Sequence, residues 1–309
     1  MTTTNENISS GRRSIPRLKL GRIFAWIMLG IWILITLFPI YWIARMAFST
    51  QKNLQANPGS LLPVNFTFDA FGRVLGLMPI SQAIEQGGFH KVMHFETYFF
   101  NSLQVTLIVT LAALFVNSMA AYSFSRLRFP LRNMLFYMYL TVMVMPSVLN
   151  LIPNYLLVRD LGLLNSIAGI VAPGLLGGAI GVFLLRQFFM GINRELEEAA
   201  KLDGDSLFGV FFHIILPLSV PALITLFILT FTDSWNNLQW AYFAGGQGRV
   251  EAATTLPVAL LSFRAQQQTG VPDWTAMMAG TLISVVPILI VFVIFGRRMV
   301  DSIQFTGFK

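Results

Sequence analysis

Asp233, Asn236, Asn237 and Trp240 fall at i, i+3, i+4 and i+7 inside an apolar run, the spacing of one helix face. A carboxylate, two amides and an indole in that pattern suit a polyhydroxylated solute: the polar groups exchange hydrogen bonds with hydroxyls, and the ring packs on a sugar's apolar face. Counted from Pro217 at 1.5 Å per residue, Asp233 lies about 24 Å along the helix, in the outer half of a bilayer. An outward-facing vestibule and an interfacial aromatic belt are both open to it there. Pro146, Asn150, Pro153 and Asn154 mark a second polar face on an earlier apolar run. Its prolines free backbone carbonyls, which lipid tolerates only where a neighbouring helix or a cavity satisfies them. Polar groups inside spans are costly and mark pathways. Asn150, Asn154, Asp233, Asn236, Asn237 and Trp240 are therefore candidate linings of a solute pathway, with structural use as the alternative. Asn101 and Asn117 are expected to pair between helices instead.

Other chemistry finds little support. No G-x-x-x-x-G-K-[ST] occurs, so the chain has no phosphate-cradling loop, and any ATP that drives it must be bound by a partner. With no cysteine, disulfides and thiolate metal sites are excluded. His90 and His94 are four apart with Glu96 nearby, a set short of what a metal site needs. Neighbouring Glu197 and Glu198 point to different helix faces and make no catalytic pair, and His213 reads as an ordinary interfacial residue. No catalytic residue, metal ligand or cofactor is expected in this chain.

The elements that carry these residues follow from composition. Of 309 residues 55% are hydrophobic and 11% charged, too few charges to cover a soluble domain, so the chain is an all-α polytopic membrane protein. A net charge of +7 would suit nucleic acid, but the basic residues cluster beside apolar runs, where the cytoplasmic leaflet attracts them. A spanning helix needs about 20 apolar residues. Six runs qualify or nearly qualify: 23–46, 99–122, 134–156, 167–186, 217–241 and 275–296. The first is too long for a signal-peptide core and lacks a small-x-small site after it, so it is read as a retained span. With the N-terminus inside, fourteen of the 21 Lys and Arg fall on inner segments, which places both termini in the cytoplasm. Residues 1–22 then form a basic cytoplasmic arm, 23–296 the six-span domain and 297–309 a cytoplasmic tail. The long outer loop 47–98, with NPGSLLP and FTFDAFGRV, is expected to form a partly ordered cap. In GLLGGAIG, Gly174 and Gly178, and Gly177 and Gly181, are each four apart, the small-residue spacing of close helix packing.

The longest inner loop, 187–216, is charged and broken by glycine. Asn193 suits an N-cap, Glu195, Glu197 and Glu198 suit a first turn, and Gly204 suits the position past a C-terminus, which predicts a short helix over about 194–203. Leu207, Val210, Phe211 and Ile214 then recur at helical spacing, and Pro217 starts span five. This is a helix-turn-helix at the cytoplasmic surface, shaped to dock a partner.

Glu198-Ala199-Ala200, three residues, Gly204, nine residues, then Ile214-x-Leu216-Pro217 resembles the EAA loop of binding-protein-dependent ABC importer permeases. IPNYLLVRDLGLLNSIAGIV (152–171), DSWNNLQW (233–240) and the ending IQFTGFK are similar to the sugar-importer branch, in particular its smaller maltose-type subunit. The resemblance implies a six-span type I ABC importer permease fold in a bacterial or archaeal cell membrane. It implies one half of a pathway for a sugar or sugar-like solute, paired with a second permease subunit as a heterodimer. Glu198, Ala199, Ala200, Asp203, Gly204, Ile214, Leu216 and Pro217 would couple to an ABC ATPase dimer that holds ATP and Mg, and the C-terminal tail would reach toward the ATPase interface. An extracytoplasmic solute-binding protein would meet the loop 244–273, where Gly245, Gly246, Gln247 and Gly248 are expected to form an extended finger. An ion-coupled secondary carrier is the alternative, but it would carry paired intramembrane charges and inverted repeats. A membrane-embedded enzyme would need a catalytic constellation.

Overall fold

A computed structural model describes residues 20–88, 93–264 and 272–305. The first span is α1 (Leu20–Ala47), and three short helices, α2 (Gln51–Ala56), α3 (Asp69–Val74) and α4 (Ile80–Glu85), make the outer cap. Span two is α5 (Phe95–Arg126). Span three is two pieces, α6 (Arg132–Thr141) and α7 (Leu151–Asp160), joined through 3-10 turns at Val142–Val144 and Ser147–Asn150. Span four is α8 (Ile167–Val171), a 3-10 turn at Ala172–Leu176 and α9 (Ala179–Met190). Between spans four and five lie α10 (Glu195–Leu202), α11 (Leu207–Val210) and α12 (Leu216–Leu218), followed by α13 (Val220–Trp235), α14 (Leu238–Ala244), α15 (Leu256–Leu261) and the last span, α16 (Trp274–Phe305).

Among the described residues four segments are long and apolar enough to cross a bilayer unbroken, and two bent pairs bring the number to six. With each bent pair taken as one span, the number agrees with the six apolar runs of the sequence. Arg132–Val144 and Ser147–Asp160 meet at 100°. Pro146 has no N–H and drives the residue before it out of the helical region, so Met145 is extended (φ −75°, ψ 125°) and the first piece stops at Val144. Leu207–Leu218 and Val220–Trp235 meet at 78°. Pro217 and Pro221 are four apart, so Pro221 has no N–H to return to the Pro217 carbonyl, and the chain turns at Ser219 (φ −97°, ψ 7°). The straight helix of span five thus begins at Val220, with Pro217 in the bent segment that precedes it.

Helix α5 is the central post, packing on α9, α13, α8 and the 3-10 turn of span four, while α1 lies against α16 with most of its surface open to lipid. In lipid such packing rests on close approach and hydrogen bonds between helices, not on an apolar transfer term. Asn117 of α5 accepts a bond from Gly178 N at 3.0 Å, and a methyl group on Gly177 or Gly181 would collide with its amide. Gly174 likewise abuts Val109, while Gly178 has open space where a side chain would be, so three of the four glycines serve packing. Asn101 holds the outer side, donating to Glu251 O at 3.1 Å and Thr254 O at 2.9 Å.

The cap is ordered and stitched to the last span. Arg73 of α3 is buried against Asp273, with Nε to Oδ2 at 2.9 Å, and also donates to Thr275 Oγ1 and Gln86 Oε1. Gln51 of α2 bridges Pro272 O and Thr275 N. Removing one partner from a pair this buried strands a charge, at a cost of about 3–5 kcal/mol.

Candidate solute pathway and coupling surface

The run 217–241 is not one helix. Asn236 ends α13, with its Nδ2 donating to Thr232 O at 2.9 Å, and Asn237 caps α14 by accepting from Trp240 N at 3.1 Å. Asparagine side chains offer the backbone such local bonds, and two in succession outcompete the helix. The i, i+3, i+4, i+7 face of a continuous helix is therefore lost. The four residues nonetheless line one cavity of about 1000 Å³ together with Asn150 and Asn154, because the break folds α14 back beside α7 and α8. Asp233, Asn236 and Asn237 are exposed in it, Asn150, Asn154 and Trp240 half-buried. Trp240 is fixed from behind by its Nε1 donating to Ile170 O at 2.9 Å. Pro146 and Pro153 do not line the cavity, and their role is to shape the bent span three that carries Asn150 and Asn154.

Thr232 and Thr255 also line the cavity, and each has a buried hydroxyl oxygen with no hydrogen-bond partner among the described residues. A buried hydroxyl without a partner is uncommon in folded proteins and marks these two threonines as candidates for a polar ligand. Sequence reasoning missed them because a lone threonine in a span is unremarkable, and only the packing shows that its bond is unmade. Asp233 is the one charged side chain among the described lining residues.

At the inner end, α10 spans Glu195–Leu202 and Asn193 lies one residue ahead of its cap, Arg194, still accepting from Glu195 N at 3.1 Å. The helix closes in a Schellman motif: Asp205 N donates to Ala200 O at 2.9 Å and Gly204 N to Lys201 O at 3.1 Å, with Gly204 at φ +89°. Glu198, Ala199, Asp203 and Gly204 are exposed on one surface, with Leu202 90% exposed among them, while Ala200 packs inward. The expected stripe Leu207, Val210, Phe211, Ile214 needs correction. Phe211–Ile215 is a π turn, whose extra residue shifts the frame so that Val210, Phe211 and Ile215 are buried, Ile214 and Leu216 are half-buried and Leu207 and Pro217 are exposed. A further contact had no signal in sequence: Glu197, 5% exposed, meets Arg126 at the end of α5 with Nε and Oε1 2.8 Å apart. The two atoms are not aligned for a hydrogen bond, so the contact is a charge pair. Arg126 adds bonds to Phe189 O and, at 2.7 Å, to Ile192 O.

The outer loop is not an extended finger. Gly245 and Gly246 pack in a turn against Ala241, Ala253 and Asn165, whose N donates to Ala244 O at 2.7 Å. Leu256, Val258, Ala259 and Leu260 of α15 are buried, while Gln247, Gly248 and Arg249 stand exposed at the tip, followed by exposed Glu251 and Ala252. His94 lies near Glu96 and Glu251, and no group of metal-holding side chains occurs among the described residues. His90, residues 265–271 of the loop and the ending 306–309 lie outside the described residues. His213 is exposed beside Asp205, its Nδ1 3.3 Å from Oδ2.

Residues 110–303 match the family described as binding-protein-dependent transport system inner membrane component. The chain is 29% identical to the arabinooligosaccharides transport system permease protein AraQ of Bacillus subtilis, over 81% of this chain and 92% of that one. It is 31% identical to the sn-glycerol-3-phosphate transport system permease protein UgpE of Pectobacterium atrosepticum, over 91% and 96%. In structure it is similar, with TM-score 0.74 and 26% identity over 92% of this chain and 99% of the other, to a chain of a bacterial ABC transporter involved in the import of the acidic polysaccharide alginate.

Proposed function

The chain belongs to the binding-protein-dependent inner membrane permeases of ABC transporters, and from that premise we propose that it forms half of a pathway for a neutral, hydroxyl-rich solute of the oligosaccharide class. It is a multi-pass permease component of the bacterial inner membrane, ATP is hydrolysed by a separate subunit, and the ion-coupled carrier is set aside. The observation that carries the solute class is the cavity lining: amides, hydroxyls, an indole and one carboxylate, with no Lys or Arg among the described residues. An anionic solute such as alginate or a glycerol phosphate would need a cation there, whereas sugar hydroxyls need paired donors and acceptors. The relative named for arabinooligosaccharides agrees with this reading better than the one named for sn-glycerol 3-phosphate.

The remaining parts follow from the same reading. A second permease subunit closes the pathway, and a solute-binding protein docks on the outer side, where Gly245, Gly246, Gln247 and Gly248 form the turn and its exposed tip. An ATPase dimer holding ATP and Mg seats on the surface of Glu198, Ala199, Asp203 and Gly204, and both termini are cytoplasmic. Coupling runs through α13, whose 16 residues, about 24 Å long, join the inner segment directly to the cavity. The test is ATP hydrolysis by the reconstituted importer with its binding protein, offered neutral arabinooligosaccharides, alginate oligosaccharides and sn-glycerol 3-phosphate. Stimulation by the neutral sugars alone is expected. Stimulation by the anions alone overturns the solute class.

A further inference from the structure

The cytoplasmic end of the bundle carries a second concavity, of about 490 Å³, remote in sequence from the solute cavity. It is lined by Arg128, Arg132 and Arg194 together with Asn133, Leu131 and Met134. No acidic side chain lines it, and Arg128 and Arg194 make no hydrogen bond or ion pair among the described residues. Arg132 is the floor, donating to Asn133 Oδ1 at 3.3 Å and Leu127 O at 3.1 Å. Three guanidinium groups that line one concavity with no acidic side chain among them give it a positive surface, which attracts an anion.

Two features say which anion. The turn is closed by Leu131 in the left-handed region at φ +60°, an unfavourable conformation for leucine, and α6 starts there with no side-chain cap on its first N–H groups. A helix of ten residues thus points its positive end at the same concavity. From that point the exposed face of α6 is apolar, through Leu131, Met134, Leu135 and Met138, and runs up the membrane-crossing span. A phosphate at the mouth with hydrocarbon along the helix is the shape of an anionic phospholipid.

We propose that Arg128, Arg132 and Arg194 form a headgroup site for an anionic phospholipid of the inner leaflet. Arg194 also occupies the N-cap position of α10, without a side-chain capping bond, so the lipid phosphate joins the α5–α6 turn to the start of the coupling helix. Occupancy therefore steadies the surface on which the motor is seated.

The test uses the assembled importer in mild detergent, with phosphatidylglycerol as the probe and native mass spectrometry as the readout. Arg194→Gln, which lies in a loop and leaves the spans intact, is expected to weaken lipid retention about fivefold, and the triple Gln variant roughly a hundredfold. Arg128→Lys, Arg132→Lys and Arg194→Lys together keep the charge and the topology signal, and retain most of the lipid. Equal retention by wild type and the Gln variants overturns the proposal. So does displacement by millimolar inorganic phosphate alone, since the site then reads a free anion. Because the chain has no cysteine, Leu131→Cys gives a single thiol for cross-linking, and capture of the ATPase subunit there would assign the concavity to a protein contact instead.

Discussion

Arg126 and Glu197, 71 residues apart in sequence, meet at 2.8 Å with their side chains 4% and 6% exposed. Of the three acids in the first turn of α10, one therefore anchors the helix to the end of α5, and the other two face outward. Orientation of the proposed docking surface is set by a contact beneath it.

Glu197→Ala leaves Arg126 buried without its counter-charge, at a cost of about 3–5 kcal/mol. The spans still insert, but α10 loses its seat, and the purified complex loses its ATPase subunit. Subunit stoichiometry after affinity purification checks this. An unchanged stoichiometry with full solute-stimulated hydrolysis would show that the pair merely fills space.

Gly204 lies at φ +89° with open space where a side chain would project, so a substitution meets only a backbone penalty, about 1–2 kcal/mol for an ordinary residue. Gly204→Val is expected to uncouple hydrolysis from solute, while Gly204→Asn, which tolerates the left-handed region, keeps most of the stimulation. Glu198→Lys, at an exposed position, should uncouple without loss of stability. Equal coupling in the Val and Asn variants would separate the turn from force transmission.

Asp233 is exposed in the candidate solute cavity and its replacement disturbs no helix cap. Asp233→Ala should lower uptake about tenfold or more if it bonds solute hydroxyls, with assembly and basal hydrolysis unchanged. Asn237→Ala removes a cap as well, about 1 kcal/mol, so Asn237→Ser, which keeps a capping oxygen, is the cleaner variant. Normal uptake in Asp233→Ala and Asn237→Ser together would remove this wall from the pathway.

Thr232→Val and Thr255→Val delete hydroxyls that make no bond among the described residues. In dry protein the exchange is neutral or stabilising. If the hydroxyls serve the solute, uptake falls while the thermal midpoint holds or rises. A fall in both together would mark a structural role.

Gln247 stands at the exposed tip of the outer turn. Gln247→Cys is expected to cross-link to the binding protein in the solute-loaded, ATP-bound complex. Cross-links formed only within the permease would make the tip a lid.

How much of this was legible beforehand differs by kind of feature. Six apolar runs, the inner charged helix with its glycine stop, and six of the residues that line the cavity, Asn150, Asn154, Asp233, Asn236, Asn237 and Trp240, could be read from sequence, since each rests on local periodicity, capping chemistry or the cost of polar groups in lipid. Where the runs would bend could not: a proline signals a freed carbonyl, yet whether the chain kinks by a little or turns by 100° depends on what packs into the gap. The Asn236-Asn237 break kept the expected residues at the cavity while discarding the helix face that had joined them. Arg126 with Glu197, Arg73 with Asp273, and the unmade bonds of Thr232 and Thr255 belong wholly to the tertiary structure. A buried charge pair or an orphaned hydroxyl is a relation between distant segments, and no local pattern of residue types encodes which of them will meet.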